Sequence, residues 1–221
     1  GGRLPLLCRE AGRVARLHAD ALGAQPCEGA SQVGVGFGER GCTISTLRPE
    51  LLPALRLIVI TDRGLAAPRA MEAVVEKALL GGAPAIQLRE KETSSGELFE
   101  VGQRLRELTG RYGALLFVND RLDVALAAGA DGVHVGPEDI SVAALRERVP
   151  AGFIIGYSCD DVAEARRAVA AGADYIGCGA VYGTTTKTGA GVAIGLERLN
   201  AMATAVAVPV VAIGGITPER A

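Results

Sequence analysis

Five consecutive residues, Gln87-Leu88-Arg89-Glu90-Lys91, set an amide and two cations at every second position. Alternate side chains of an extended strand share a face, so Gln87, Arg89 and Lys91 point to one side. That grouping suits a diphosphate: a guanidinium offers forked hydrogen bonds, and an ammonium adds a mobile point charge. A solvated strand end is the plainer reading of the same residues. Further along, Val118-Asn119-Asp120 closes one apolar run, and His134-Val135-Gly136-Pro137-Glu138-Asp139 extends out of another. Asp120 and Asp139 together fit one Mg²⁺, a hard cation that takes a few carboxylates and completes its octahedron with water and phosphate oxygens. Each carboxylate also fits a helix start, Asp139 as N-cap or first-turn acid of a helix from Ser141 and Asp120 as cap of the helix that follows it. His134, inside its strand, reads as structural.

A third group lies in Tyr182-Gly183-Thr184-Thr185-Thr186-Lys187-Thr188-Gly189, where hydroxyls, glycines and a lysine crowd one loop. Backbone amides, threonine hydroxyls and an ammonium can wrap a phosphate there, although a flexible connector has a similar composition. Gly214-Gly215 allows a backbone close to a ligand. Two phosphate-holding regions point to two small phosphorylated ligands.

The elements that must position these residues follow from periodicity. Short β-branched runs at Leu57-Asp62, Ala85-Arg89, Leu115-Asn119, Gly132-Val135, Ile154-Ser158, Tyr175-Val181 and Val210-Gly214 read as seven strands. Between them, stretches such as Met71-Leu80, Glu97-Tyr112, Asp161-Ala171 and Leu196-Val206 carry apolar residues at helical steps. An echo, Gly-Gly-Ala-Pro-Ala-Ile, Ala-Gly-Ala-Asp-Gly-Val and Ala-Gly-Ala-Asp-Tyr-Ile, begins at Gly81, Ala128 and Ala171, with glycine capping a helix before the next strand. Unbroken βα alternation, with no GxGxxG turn after the first strand, predicts a TIM (β/α)8 barrel, in which function collects at the C-terminal strand ends. Every polar group above falls at such an end. Closure takes eight strands and only seven are evident, so the expectation is a barrel over residues 55–221 lacking its eighth strand at the C-terminus. A strand supplied by permutation from Gln32-Phe37 is the weaker alternative. Residues 1–54 form an extension without an assigned role, in which Leu4 to Leu22 read as one helix.

Composition narrows the class. The chain is 49% hydrophobic and 22% charged, a globular balance, and its net charge of −2 gives no broad basic field for nucleic acid. No apolar run approaches the roughly 18 residues of a membrane span, and no basic-then-apolar leader opens the chain. Cys8, Cys27, Cys42, Cys159 and Cys178 are odd in number and lack metal-site spacing, which reads as free thiols in a reducing cytoplasm.

QLREK at Gln87, ND at Asn119, HVGPED at His134, GYS at Gly156, TTTK at Thr184 and IGGI at Ile213, in that order, resemble the thiamine-phosphate synthase family. The resemblance runs from about Leu57 to Ala221. It implies a Mg²⁺-dependent transferase that joins a hydroxymethylpyrimidine diphosphate to a thiazole phosphate, releasing pyrophosphate. It implies early cleavage of the carbon–oxygen bond to leave a pyrimidine-stabilised cation, which the thiazole nitrogen captures. By the same resemblance, Gln87, Leu88, Arg89, Glu90, Lys91, Asn119, Ser158 and Lys187 bind the pyrimidine diphosphate, with Arg89, Lys91, Ser158 and Lys187 catalytic. Thr184, Thr185, Thr186 and Gly215 would hold the thiazole phosphate, and Asp120 and Asp139 the metal. Pro137 and Cys159-Asp160 depart from residues common in the family. The rival readings are a thiazole tautomerase of the same superfamily and an inactive barrel fragment; Asp120 and Asp139 argue against the tautomerase, which has no use for a metal there.

Overall fold

The computed structural model of the chain describes residues 48, 50–184, 192–217 and 219–220. The expected helix at Leu4 to Leu22, the strand at Gln32-Phe37, and Thr185, Thr186 and Lys187 lie outside the described residues. After the short helix α1 (Leu51–Leu55) come β1 (Ile58–Ile60), α2 (Arg63–Ala66), α3 (Met71–Leu80), β2 (Ala85–Leu88), α4 (Ser95–Tyr112) and β3 (Leu115–Asn119). They are followed by α5 (Leu122–Ala127), β4 (Gly132–Val135), α6 (Val142–Arg146), β5 (Ile154–Ser158), α7 (Val162–Ala170), β6 (Tyr175–Cys178), α8 (Gly195–Ala205) and β7 (Val210–Ala212). The seven strands form one sheet in sequence order, and every neighbouring pair is parallel.

The local signals are those of the sequence. Asp62 accepts from the Leu65 amide, Ser94 from that of Glu97, Asp161 from that of Glu164 and Ser141 from that of Ala144, so four of the described helices start on side-chain caps. In the echoed segments Gly82, Gly129 and Gly172 take φ of 88°, 67° and 104°, the left-handed turn that stops a helix before a strand. Along α4 the buried residues Leu98, Val101, Gly102, Leu105, Leu108 and Thr109 fall at three- and four-residue steps, so one stripe of the helix faces the sheet.

Two apolar layers result. The outer one lies between sheet and helices and takes alternate strand residues, among them Ile86, Leu88, Leu116, Val118, Val133, Ile155 and Ile176. The inner one joins Ile58, Ala85, Phe117, Ile154, Tyr175 and Val211, from both edges of the sheet, into one cluster. A flat sheet could not bring β1 and β7 to a common cluster, and the strands curl into a half-barrel of TIM type. Leu51 and Leu55 of α1 close its floor at 5% and 3% exposure. Each contributes about 1.5–3 kcal/mol by burial.

The observed strands match expectation in place and order, and four of them, β1, β2, β6 and β7, are shorter. β6 ends at Cys178, where the sequence suggested Val181. The chain there still pairs with the segment after β7, through Val181 N–H to Ile213 C=O at 2.8 Å and Tyr182 N–H to Gly214 C=O at 2.9 Å. Gly179 lies so close to Ile213 that a Cβ would collide with it. No helix among the described residues is long and apolar enough to cross a membrane.

Candidate active site

The C-terminal strand ends form one mouth, and β2 enters it first. Gln87 faces the barrel interior at 3% exposure. Beyond it, the Arg89 amide donates to Thr61 Oγ1 at 2.9 Å, and Thr61 N–H donates to Gln87 C=O at 2.9 Å. The end of β1 thus fixes the backbone that carries Arg89 and Lys91. Both cations act on Asp120, drawing its carboxyl toward the ionised form.

Asp120 is the one non-glycine residue with positive φ among the described residues, at 62°. Its N–H donates to His134 C=O at 2.8 Å, so the turn out of β3 is tied to β4. In this position its carboxyl lies within hydrogen-bonding reach of Asp139. Burial first, and then the neighbouring Asp139 carboxylate, hold Asp120 above the usual carboxylate range. Asp139 is aimed by a tight turn: its Oδ2 accepts from Gly136 N–H at 2.7 Å, and its own N–H donates to Gly136 C=O at 3.2 Å. Neither acid caps a helix. Ser141 caps α6, and α5 begins at Arg121 without a side-chain cap. The capping alternative is therefore set aside, and two carboxylates face each other across from two cations.

A buried polar row lies beneath. Asn119, His134, Gly156 and Tyr175 are matched in register on four adjacent strands. The His134 ring lies 2.8 Å by Nδ1 from the Tyr175 hydroxyl and 2.7 Å by Nε2 from Ser158 Oγ, and Gln87 hydrogen-bonds the same hydroxyl. His134 is as buried as a structural residue, at 8% exposure, yet its ring contacts the candidate ligand-binding Ser158 directly and reaches Gln87 through Tyr175.

On the far side, Gly214 and Gly215 take φ of 97° and 65°. The space a Cβ would need is filled by Ala180 at Gly214, and by Gly183 C=O and Tyr182 at Gly215. These glycines thus seat β7's extension against the start of the threonine loop, bringing Gly215 beside Tyr182 and Gly183. Arg220 stacks 4.7 Å from the Tyr182 ring and donates to Gly215 C=O at 2.9 Å.

Similarity to known proteins gives the family. Residues 57–221 match the family described as thiamine monophosphate synthase. The chain belongs to that family. It is 48% identical over 166 residues to the thiamine-phosphate synthase of Chloroflexus aurantiacus, covering 75% of this chain and 76% of that protein. It is 49% identical over 166 residues to the thiamine-phosphate synthase of Pyrococcus horikoshii, covering 75% and 78%. The solved thiamine phosphate pyrophosphorylase from Pyrococcus furiosus superposes with a TM-score of 0.66 at 47% identity, covering 74% of this chain and 76% of that one.

Within this family fold the side chains expected at the mouth separate into groups. Gln87, Arg89, Asn119, Asp120, Asp139 and Ser158 stand on the interior side or at the strand ends. Leu88 does not: its side chain is fully buried in the outer layer against α4, where a Cβ on Gly102 would lie 3.7 Å from Leu88 Cδ2. Strand alternation sends it there, so only its backbone can line a ligand. The Glu90 side chain is likewise turned away, with Oε2 3.1 Å from Arg63 Nε and 7% exposed. Thr61 and Tyr175 were missed. Each looks like core filler in its strand, and the readable signal was glycine: Gly156 sits in register with Tyr175, and its missing Cβ makes room for that ring.

Proposed function

We propose that the chain joins a hydroxymethylpyrimidine diphosphate to a thiazole phosphate, forming thiamine phosphate and pyrophosphate with Mg²⁺. The observation that carries this reading is the Asp120–Asp139 pair, within hydrogen-bonding reach, used by no helix cap, and opposite Arg89 and Lys91. The donor set fits Mg²⁺. Among the described residues no group of three or more His, Cys, Asp and Glu side chains could hold a metal. Two carboxylates that leave coordination to water and phosphate oxygens are what a phosphate-borne Mg²⁺ uses. When bound, the ion supplies charge that makes the diphosphate a better leaving group.

The chain's own residues do the rest. Arg89, Lys91 and Lys187 hold the diphosphate and offset the charge that grows as its carbon–oxygen bond breaks and the electron pair leaves with it. Preorganised donors of this kind are each worth about 10²–10³-fold in rate. Gln87 and Asn119 orient the pyrimidine, and Ser158 holds the diphosphate. Thr184, Thr185, Thr186 and Gly215 place the thiazole phosphate, so that the thiazole nitrogen's lone pair meets the freed carbon. No covalent nucleophile is needed, because proximity and fixed charge lower the barrier. The scheme draws only on side chains of the barrel from about residue 55 onward.

The test is an assay of the purified chain with both substrates, with and without Mg²⁺, beside Asp120→Ala. Thiamine phosphate should form only with the metal, and Asp120→Ala should lower kcat/KM by about 100-fold or more. Equal product without Mg²⁺, or without Asp120, overturns the metal assignment.

A further inference from the structure

We infer that Tyr175 and His134 are positioning residues that hold the His134 ring in its Nε2–H form and thereby make Ser158 a hydrogen-bond donor toward the mouth. The inference rests on the proposed diphosphate site and says how one of its side chains is aimed. It begins with Gln87, whose hydrogen bond to the Tyr175 hydroxyl favours the phenolate, the sense of an amide N–H given to the oxygen. Tyr175 is 1% exposed, and burial pushes its ionisation far above the ordinary phenol range, so the phenol keeps its proton. With its oxygen accepting from Gln87, that proton is directed to His134 Nδ1, 2.8 Å away.

A nitrogen that accepts carries no proton. The His134 proton therefore sits on Nε2, 2.7 Å from Ser158 Oγ, and is donated to it. Ser158 then accepts from beneath, and its own hydroxyl proton is left for the mouth. This polarity suits a diphosphate, whose oxygens only accept. The opposite tautomer would draw the Ser158 proton down to Nε2 and turn lone pairs toward the anion.

The fold makes room for this chain of bonds. A Cβ at Gly156 would fall within the Tyr175 ring, and one at Gly177 would lie 3.0 Å from His134 Cε1. The Phe117 ring holds Tyr175 from another side, edge to face at 5.6 Å between centroids.

The tautomer can be read directly by two-bond ¹H–¹⁵N correlation on histidine-labelled protein. The chain has only His18 and His134, so His18→Asn assigns the signals. His134 should be Nε2–H in the wild type and shift toward Nδ1–H in Tyr175→Phe. Tyr175→Phe and Ser158→Ala should each raise the Kd for inorganic diphosphate with Mg²⁺ by about 10-fold. The double variant should be no worse than Ser158→Ala alone, since Tyr175 acts through Ser158. An Nδ1–H tautomer in the wild type, or fully additive losses, would overturn the inference. If Tyr175→Phe does not fold, the wild-type tautomer decides by itself. Neither reading depends on turnover, so a chain that made no thiamine phosphate would sink the proposed reaction and leave the tautomer to be judged on its own.

Discussion

At the N-terminal ends of the strands, Asp131 and Asp174 are fully engaged; at the C-terminal ends, Asp120 and Asp139 face one another. Asp131 Oδ2 accepts from Leu116 N–H and from Arg106, both at 2.8 Å. Asp174 Oδ2 accepts from Ile155 N–H at 2.8 Å and from Arg146 at 2.6 Å. Both follow Ala-Gly-Ala in the internal echo, so one short repeat builds the same clamp twice between neighbouring strands. The third copy has Pro84, and there the backbone alone bonds across, from Leu115 N–H to Pro84 C=O at 2.9 Å. At the mouth no guanidinium forms a salt bridge with either acid among the described residues, and burial and mutual repulsion raise Asp120. Charge closed off by the protein itself is architecture, whereas charge left open calls for a ligand.

The sharpest way to break this contrast is at the floor. Asp174→Ala should cost about 3 kcal/mol of stability in denaturant unfolding, because it leaves the buried Ile155 amide unpaired and takes a charge-assisted bond from Arg146, which keeps its bonds to Gly172 C=O and Phe153 C=O, while turnover per folded molecule stays near wild type. Loss of turnover with stability intact would erase the distinction between the two ends. At the mouth the pattern should reverse. Arg89→Ala should lower kcat/KM by about 10²–10³-fold, with a melting temperature within a few degrees of wild type.

Gly156→Ala probes what joins the two ends, since its methyl meets the Tyr175 ring. It should cost about 1–3 kcal/mol by overpacking, read by thermal unfolding. The smallest effect concerns Asp120→Asn. A carboxyl raised in the folded state is penalised at any pH above its folded value, where it must ionise beside Asp139. Asn removes that penalty, so the variant should be more stable than wild type at neutral pH by up to about 1 kcal/mol. The gap should close as pH falls through the raised folded value toward the unfolded one near 3.8, because both forms are then neutral. A variant less stable at neutral pH would show that Asp120 is paired by the protein itself.

Much of this was legible along the chain for a physical reason. Strands and helix stops depend on neighbours a few residues apart: alternation put Gln87 and Arg89 on one face, and the positive φ of the helix stops at Gly129 and Gly172 favours glycine. The same alternation, applied strictly, sends the Leu88 side chain to the outer layer and leaves only its backbone for the mouth. By itself, then, the sequence determined the order of seven strands, the end at which the polar residues gather, and the family.

Tertiary structure alone decided how those residues are used. Whether Asp120 and Asp139 cap helices or meet each other depended on Gly136 and on the carbonyl of His134, contributed from β4 and its turn. Tyr175 is one more apolar residue of its strand until curling brings Gln87 and His134 to its hydroxyl. These are contacts between strands far apart in sequence, and periodicity carries no information about which side chains meet across a barrel.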